Sequence, residues 1–205
     1  MPDFRLETAA RKDGADVIAG VDEAGRGPWA GPVVAAAVIL DAERLWPELA
    51  SGLDDSKKLA RRRRIELFAA LGECAEIALG IADVAEIDTR NILVATMEAM
   101  RRAVAGLAAA PQIALVDGIT RPPLSCDVRC VVKGDARSLS IAAASIAAKV
   151  TRDGIMAGLA SAYPGYGWER NAGYGTAEHR EALERLGPTP HHRRTFAPVA
   201  RLLND

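Results

Sequence analysis

The chain has 205 residues, 49% hydrophobic and 26% charged, and a formal net charge of -1; that length suits one domain with one sizeable core, and the charge gives no global bias toward nucleic acid. No stretch approaches the roughly 18 consecutive apolar residues of a membrane span, since the longest, Pro32 to Leu40, is of strand length. Residues 1–17 hold no apolar segment that would serve as a signal peptide, so the expectation is a soluble cytoplasmic protein whose mature form begins at Met1.

Val17 to Val21 is a short apolar run closing on Asp22, and Val33 to Leu40 is a second; Gly25, Gly27, Pro28, Gly31 and Pro32 between them give strand, loop, strand. Asp22 and Glu23 put two carboxylates directly after an apolar strand, a charge at the core edge that something must compensate. Adjacent strand residues point to opposite faces, so both can serve one site only if the strand breaks at Glu23, with Ala24-Gly25 as the bend. From Ser56 to Arg64 six of nine residues are basic, which suits either a solvated helix face or a phosphate-binding patch.

A helix is expected from about Arg61 and a third strand at Glu76 to Ile81. From Asp88 the spacing of Ile92, Leu93, Met97 and Met100 predicts an amphipathic helix running to near Pro111, capped by Asp88 or Thr89. Ile113 to Val116 and Val128 to Val132 read as short strands, the first closing on Asp117-Gly118 and the second near Gly134-Asp135. Ser138 to Tyr163 is a long Ala-rich helix ended by Pro164 and Gly165, with shorter helices at Thr176 to Leu186 and Phe196 to Leu203. Cys74, Cys126 and Cys130 contain no Cys-x-x-Cys and lie away from His179, His191 and His192 in sequence. This disfavours zinc and favours core packing for the thiols, while the histidines read as surface or packing residues. The element order predicts an α/β fold, a mixed sheet with helices on both faces.

Asp22, Glu23, Asp117 and Asp135 then stand at strand ends or in adjoining loops, where the active sites of such sheets open. Hard oxygen ligands suit Mg2+ or Mn2+, and two such ions activate water and stabilise the leaving oxygen of a phosphodiester. Against this, Asp117-Gly118 by itself is also an ordinary turn pair.

Several blocks sharpen the reading: Gly20 to Pro28 (Gly-Val-Asp-Glu-Ala-Gly-Arg-Gly-Pro) with Ala30 to Val34, Asp55 to Leu59, Lys133 to Ala136, Ser140 to Ile146, Ala148 to Asp153, Asn171 to Thr176, and His192-Arg193. In residues and in order they resemble the ribonuclease HII family, over residues 18 to about 198. The resemblance implies a ribonuclease H-like mixed five-stranded sheet flanked by helices, with a short helical C-terminal part from about residue 176, in a single catalytic domain over 1–205. It implies an endonuclease that hydrolyses the RNA strand of RNA–DNA hybrids and cuts 5′ of single ribonucleotides in duplex DNA. The family mechanism uses two Mg2+ or Mn2+ ions and leaves 3′-hydroxyl and 5′-phosphate ends, in support of ribonucleotide removal from DNA. Carried over by motif, Asp22, Glu23, Asp117 and Asp135 are the catalytic metal ligands. Gly25, Arg26 and Gly27 read the ribose 2′-hydroxyl, Tyr174 packs on the sugar at the RNA–DNA junction, and Lys57 and Lys58 contact phosphates. The expected partners are nucleic acids and not membranes, and the expected state is a monomer. Lys149 and Asp153, four apart, read as a helix-face ion pair, with an outer-shell role for Asp153 as the alternative. Trp29 stands where the family often has a smaller aliphatic residue, and Ala172 where a lysine is common, which removes one phosphate contact. The sister family, ribonuclease HIII, has an extra N-terminal domain and a Gly-Lys-Gly loop; Arg26 and the 19 residues ahead of the signature disfavour it. A non-catalytic hybrid-binding protein is disfavoured because all four acids are present.

Overall fold

The computed structural model describes residues 1–204; Asp205, the last residue of the expected domain, lies outside the described residues. Five strands, β1 Ile18–Ala24, β2 Val33–Leu40, β3 Ala75–Ala82, β4 Ile113–Asp117 and β5 Asp127–Val131, form one sheet in the order β3-β2-β1-β4-β5. β3, β2 and β1 pair antiparallel, while β1, β4 and β5 pair parallel, so the sheet is mixed as expected.

β2 is apolar without alternation because both of its faces are covered. Val33, Ala35 and Ala37 pack with Ala99, Met100 and Ala103 of α5 (Ile92–Ala105). Ala36, Val38 and Leu40 pack on the other face with α3 (Arg61–Leu71) and α6 (Leu139–Ala162). The start of α6 lies directly on β1: a side chain at Gly20 would run into the backbone of Ser140 and Ile141. That close approach is what places the long helix beside the strand that ends in Asp22.

The N-terminal residues, which suggested no element, form α1 (Arg5–Lys12). Its inner side carries Glu7, a buried carboxylate that accepts from the hydroxyls of Ser138 and Ser140 (both 2.6 Å) and from the Ser140 amide (3.0 Å) at the start of α6. Leu6 and Ala10 give the segment only a two-residue apolar side, too short to signal a helix, and the buried charged residue beside them reads as solvated. A short α2 (Pro47–Gly52) was likewise not expected. The helix expected from Asp88 is two helices, α4 (Val84–Arg90) and α5. Asn91, at φ 70°, breaks the chain between them, and its Oδ1 accepts from the amides of Leu93 and Val94; Asp83 caps α4. Asp88 is therefore not a cap and instead accepts from the amides of Arg194 and Thr195, while α5 ends at Ala105, short of Pro111. Of the three cysteines only Cys74 is buried; Cys126 is half-buried and Cys130 is exposed on edge strand β5, so core packing explains one of the three.

The C-terminal part, α7 (Trp168–Asn171), α8 (Ala177–Leu186) and α9 (Ala197–Asn204), joins Met156 and Ala160 of α6 in a separate core built on Tyr166, Trp168, Leu183 and Val199. Trp29 packs against that core, with His179 at 5.6 Å between ring centres, so the large residue in the early loop has a packing partner. No helix among the described residues is long and apolar enough to cross a membrane.

Candidate active site at the ends of β1 and β4

The parallel register sets Val21 beside Val116, so Asp22 and Asp117 follow on neighbouring strands. Ile18, Ile113 and Leu115 share the face covered by α1 and the start of α6, and alternation puts Asp22 and Asp117 on that same face. The Asp117 Oδ1 accepts from the Gly134 amide at 2.6 Å, which draws in the short 3-10 turn Gly134–Ala136 and with it the buried Asp135. Three acids distant in sequence are thus gathered by one strand register and one hydrogen bond.

Glu23 departs from expectation. β1 does not break there: Glu23 pairs with Ala35 and Ala24 with Val34, and the strand ends only before Gly25, at φ 99°. The pairing with β2 continues past the point where β4 stops, so the backbone stays extended and Glu23 alternates away from Asp22. Its carboxylate meets Arg26 at 3.4 Å.

Burial, and then the charges of Glu23 and Asp117, hold the Asp22 carboxyl well above the usual carboxylate range, although the Ser145 hydroxyl and the Glu23 amide pull it down. Burial also raises Asp135, reinforced by Asp117 and Asp55 and opposed by Lys57. Glu23 is raised by burial, with Arg26 the largest opposing influence. This is a carboxylate group short of positive charge, and an all-oxygen donor set of that kind fits Mg2+ or Mn2+ rather than zinc. Among the described residues no three such groups close into a ready-made cage.

Beside the acids opens a cavity of about 420 Å³, lined among others by Glu23, Gly25, Arg26, Gly27, Lys57 and Tyr174. The Tyr174 ring, on a residue 44% exposed, lies over Gly27. Lys57 faces the carboxylates: burial alone would lower its pKa, but Asp22, Asp55 and Asp135 raise it above the ordinary lysine value. Lys58 does not line the cavity and binds Asp54 at 3.1 Å.

Further lining residues are Arg64, expected only as part of the basic run, and Ser56, Ser145 and Arg152, for which the sequence suggests no individual role. The Ser56 and Ser145 hydroxyls share a hydrogen bond of 2.9 Å, and Arg64 donates to the carbonyls of Ser56 and Leu59. The basic run therefore splits, since Arg62 stays in solvent on Glu66 (2.8 Å) while Arg64 turns inward. Its spacing to Leu67 and Leu71, both buried, was the available signal. Lys149 and Asp153 form the expected helix-face pair at 2.6 Å, with Arg64 3.6 Å from the same carboxylate. Arg152, buried, donates to the carbonyls of Pro32, Ala30 and Ala172. Ala172, in a left-handed conformation, thus contributes its backbone to the frame of the cavity.

A family model described as Ribonuclease HII matches residues 19–199. The chain belongs to the ribonuclease HII family. The Ribonuclease HII of Paramagnetospirillum magneticum is 59% identical over 203 residues, 99% of each chain, and that of Rhodospirillum rubrum 60% identical over 205 residues, 99% of this chain and 92% of the other. The crystal structure of the ribonuclease H2 from Pyrococcus horikoshii OT3 is 29% identical with a TM-score of 0.78, over 92% of this chain and 97% of that one. Bst-RNase HIII, solved in complex with Mn2+, shares the fold at 22% identity and a TM-score of 0.74, over 96% of this chain and 72% of its own. As a ribonuclease HII the chain is a metal-dependent endoribonuclease acting on RNA–DNA hybrids, which removes the non-catalytic reading, and the family match decides against the HIII sister family.

Proposed function

We propose that, beyond cutting the RNA strand of hybrids, the protein incises duplex DNA on the 5′ side of a single embedded ribonucleotide and leaves 3′-hydroxyl and 5′-phosphate ends. The observation that carries this reading is the adjacency of the carboxylate cluster to a cavity lined by Gly25, Arg26, Gly27 and Tyr174. Phosphodiester chemistry and a sugar-recognising surface stand side by side.

In this reading Asp22, Asp117 and Asp135 would hold two Mg2+ or Mn2+ ions from one face of the sheet end when substrate is bound, joined by Glu23 across the extended strand, whose carboxylate still raises Asp22 and is itself raised by Asp117. Such ions supply Lewis acidity, making water a nucleophile near neutral pH and stabilising the leaving oxygen. The Gly134 amide keeps the Asp117 carboxylate turned toward Asp135. Gly25 and Gly27, lacking side chains, let the loop backbone approach the minor groove, where a ribonucleotide displays its 2′-hydroxyl. Tyr174 offers its ring to the sugar at the junction. Lys57, kept charged by the surrounding carboxylates, contacts a phosphate, and Lys58, paired with Asp54, adds only general attraction. The protein works as one catalytic domain over 1–205 and as a monomer, in ribonucleotide removal.

A DNA duplex carrying one ribonucleotide, incubated with and without Mg2+, tests this. Mg2+-dependent incision with 3′-hydroxyl ends is expected, because water attacks. Products ending in a 2′,3′-cyclic phosphate contradict the reading, since they require attack by the 2′-hydroxyl.

A further inference from the structure

The Gly25–Gly27 loop and Tyr174 lie far apart in the chain, and gripping one ribose between them requires a fixed spacing. A third segment binds the first directly and reaches the second through His179. The chain at His192 bridges Ala30 in antiparallel fashion, with the Arg193 amide on the Trp29 carbonyl (2.7 Å) and the Gly31 amide on the His191 carbonyl (2.9 Å). From here the buried Arg193 guanidinium donates to the carbonyls of Gly25 (2.5 Å), Arg26 (2.9 Å) and Gly31 (3.0 Å). All of these partners are backbone, and three carbonyls at fixed positions suit the planar guanidinium fork and not a single ammonium.

His192 continues the link in the other direction. Its Nδ1 accepts from the Thr189 amide at 2.9 Å, so the ring proton sits on Nε2, which donates to the Nε2 of His179 at 3.1 Å. The Trp168 indole (3.1 Å) shares the single lone pair of that His179 nitrogen, which leaves the His179 Nδ1 proton to donate to the Tyr174 carbonyl at 3.0 Å. The two tautomers are assigned from partners that can only donate. Both imidazoles are fully buried and held neutral, His192 being lowered to about 4 by burial and by His179 beside it.

We propose that His192-Arg193 is a positioning element, in which Arg193 holds the Gly-Arg-Gly loop and His192, through His179, holds Tyr174, so that the two are spaced to admit one ribose at a junction with DNA. It determines specificity and touches no reacting atom. The inference rests on the proposed function, in which these two loops contact the sugar.

The test uses Arg193→Lys, His179→Leu, His179→Asn and Tyr174→Ala in the full chain. Each is assayed for kcat/KM on a single-ribonucleotide duplex and on a continuous RNA–DNA hybrid, and for amide hydrogen exchange over residues 25–32 and 172–176. Arg193→Lys and His179→Leu are expected to lower the ratio of the two kcat/KM values by about tenfold, the size of one lost stacking contact, with faster exchange in the loop each one holds. His179→Asn, whose amide can place a donor near the former Nδ1, is expected to restore most of the ratio. A merely structural role lowers the melting temperature and scales both substrates equally, and that result overturns the proposal. An unchanged ratio in folded Arg193→Lys and His179→Leu, when Tyr174→Ala lowers it, also overturns the proposal and leaves the recognition reading standing. An unchanged ratio in Tyr174→Ala, where His192-Arg193 is intact, is the failure of the recognition reading itself and takes the inference with it. Should His179→Leu not fold, Arg193→Lys and His179→Asn decide.

Discussion

Asp22 is buried against the charges of Glu23 and Asp117, and burial first and those charges second force its carboxyl toward the protonated form, although Lys57 faces the group and the Ser145 hydroxyl and Glu23 amide pull the other way. In the C-terminal part His179 and His192 are buried as deeply, yet each of their ring nitrogens has a hydrogen-bond partner. The two regions show that burial of polar groups carries no single meaning. A cluster left with uncompensated charge is poised for a ligand, whereas a fully satisfied network rigidifies what it touches.

The strongest way to break this comparison is Asp117→Asn. The amide can still accept from Gly134, but the charge is lost, so turnover is expected to fall at least about a hundredfold while hybrid binding persists. In metal-free buffer the same variant is expected to melt at a higher temperature, because a like charge beside Asp22 and Asp135 is gone. A lower melting temperature with normal turnover sinks the view of this region.

The histidine network makes an opposite demand on pH. Burial lowers the folded His192 pKa from 6.5 to about 4, so between those values the unfolded chain binds more protons than the folded one. Its contribution, on the order of 3 kcal/mol for a shift of that size, is fully present above about pH 6.5 and is lost as pH falls toward 4. His192→Gln is expected to flatten the acid side of the melting-temperature profile relative to the parent chain, measured from pH 8 to 4. Parallel profiles contradict it. The raised carboxyls at the β1 end work in the other sense, costing the metal-free protein stability as pH rises through their folded values.

Tyr174→Ala separates recognition from packing. Loss of a core aromatic costs roughly 3 kcal/mol or more, but this residue is 44% exposed, so the melting temperature is expected to hold within a degree or two. kcat/KM on the single-ribonucleotide duplex is expected to drop about tenfold. The smallest effect sharpens the contrast between neighbours: Lys57→Ala is expected to weaken substrate affinity a few-fold and to reduce the salt slope by about one, while Lys58→Ala, which removes a partner of Asp54, stays within about twofold. Equal effects from the two lysines refute the assignment of Lys57.

How much of this was legible follows the same division. The places of Asp22 and Asp117 near the sheet end could be read because an apolar run gives way to an acid, Val21 to Asp22 and Val116 to Asp117, which hydrophobicity alone shows. The bend expected at Glu23 was wrong because pairing with β2, a tertiary fact, keeps β1 extended to Ala24. The cap at Asn91 was missed because its positive φ leaves no trace in apolar spacing. Arg152 and Arg193 were illegible as structural residues, since a charged side chain reads as solvated unless the carbonyls that receive it are known, and those come from Gly25, Arg26, Ala30, Gly31, Pro32 and Ala172, distant in sequence. Glu7 is the same case on a segment whose apolar side is only Leu6 and Ala10.

The parallel pairing of β1 with β4 also bears on how the protein is made. Val21 can lie beside Val116 only after β2, β3 and the helices between have left the growing chain, and Arg193 reaches Gly25 across 168 residues of sequence. Contacts of such separation form late, because their loop-closure entropy is met before they give any stability. A nascent or truncated chain therefore carries Asp22 and Glu23 on a strand whose acidic neighbours have not arrived. Where those acids carry the chemistry, as proposed, the site is assembled only near the completion of folding, and an unfinished copy lacks it.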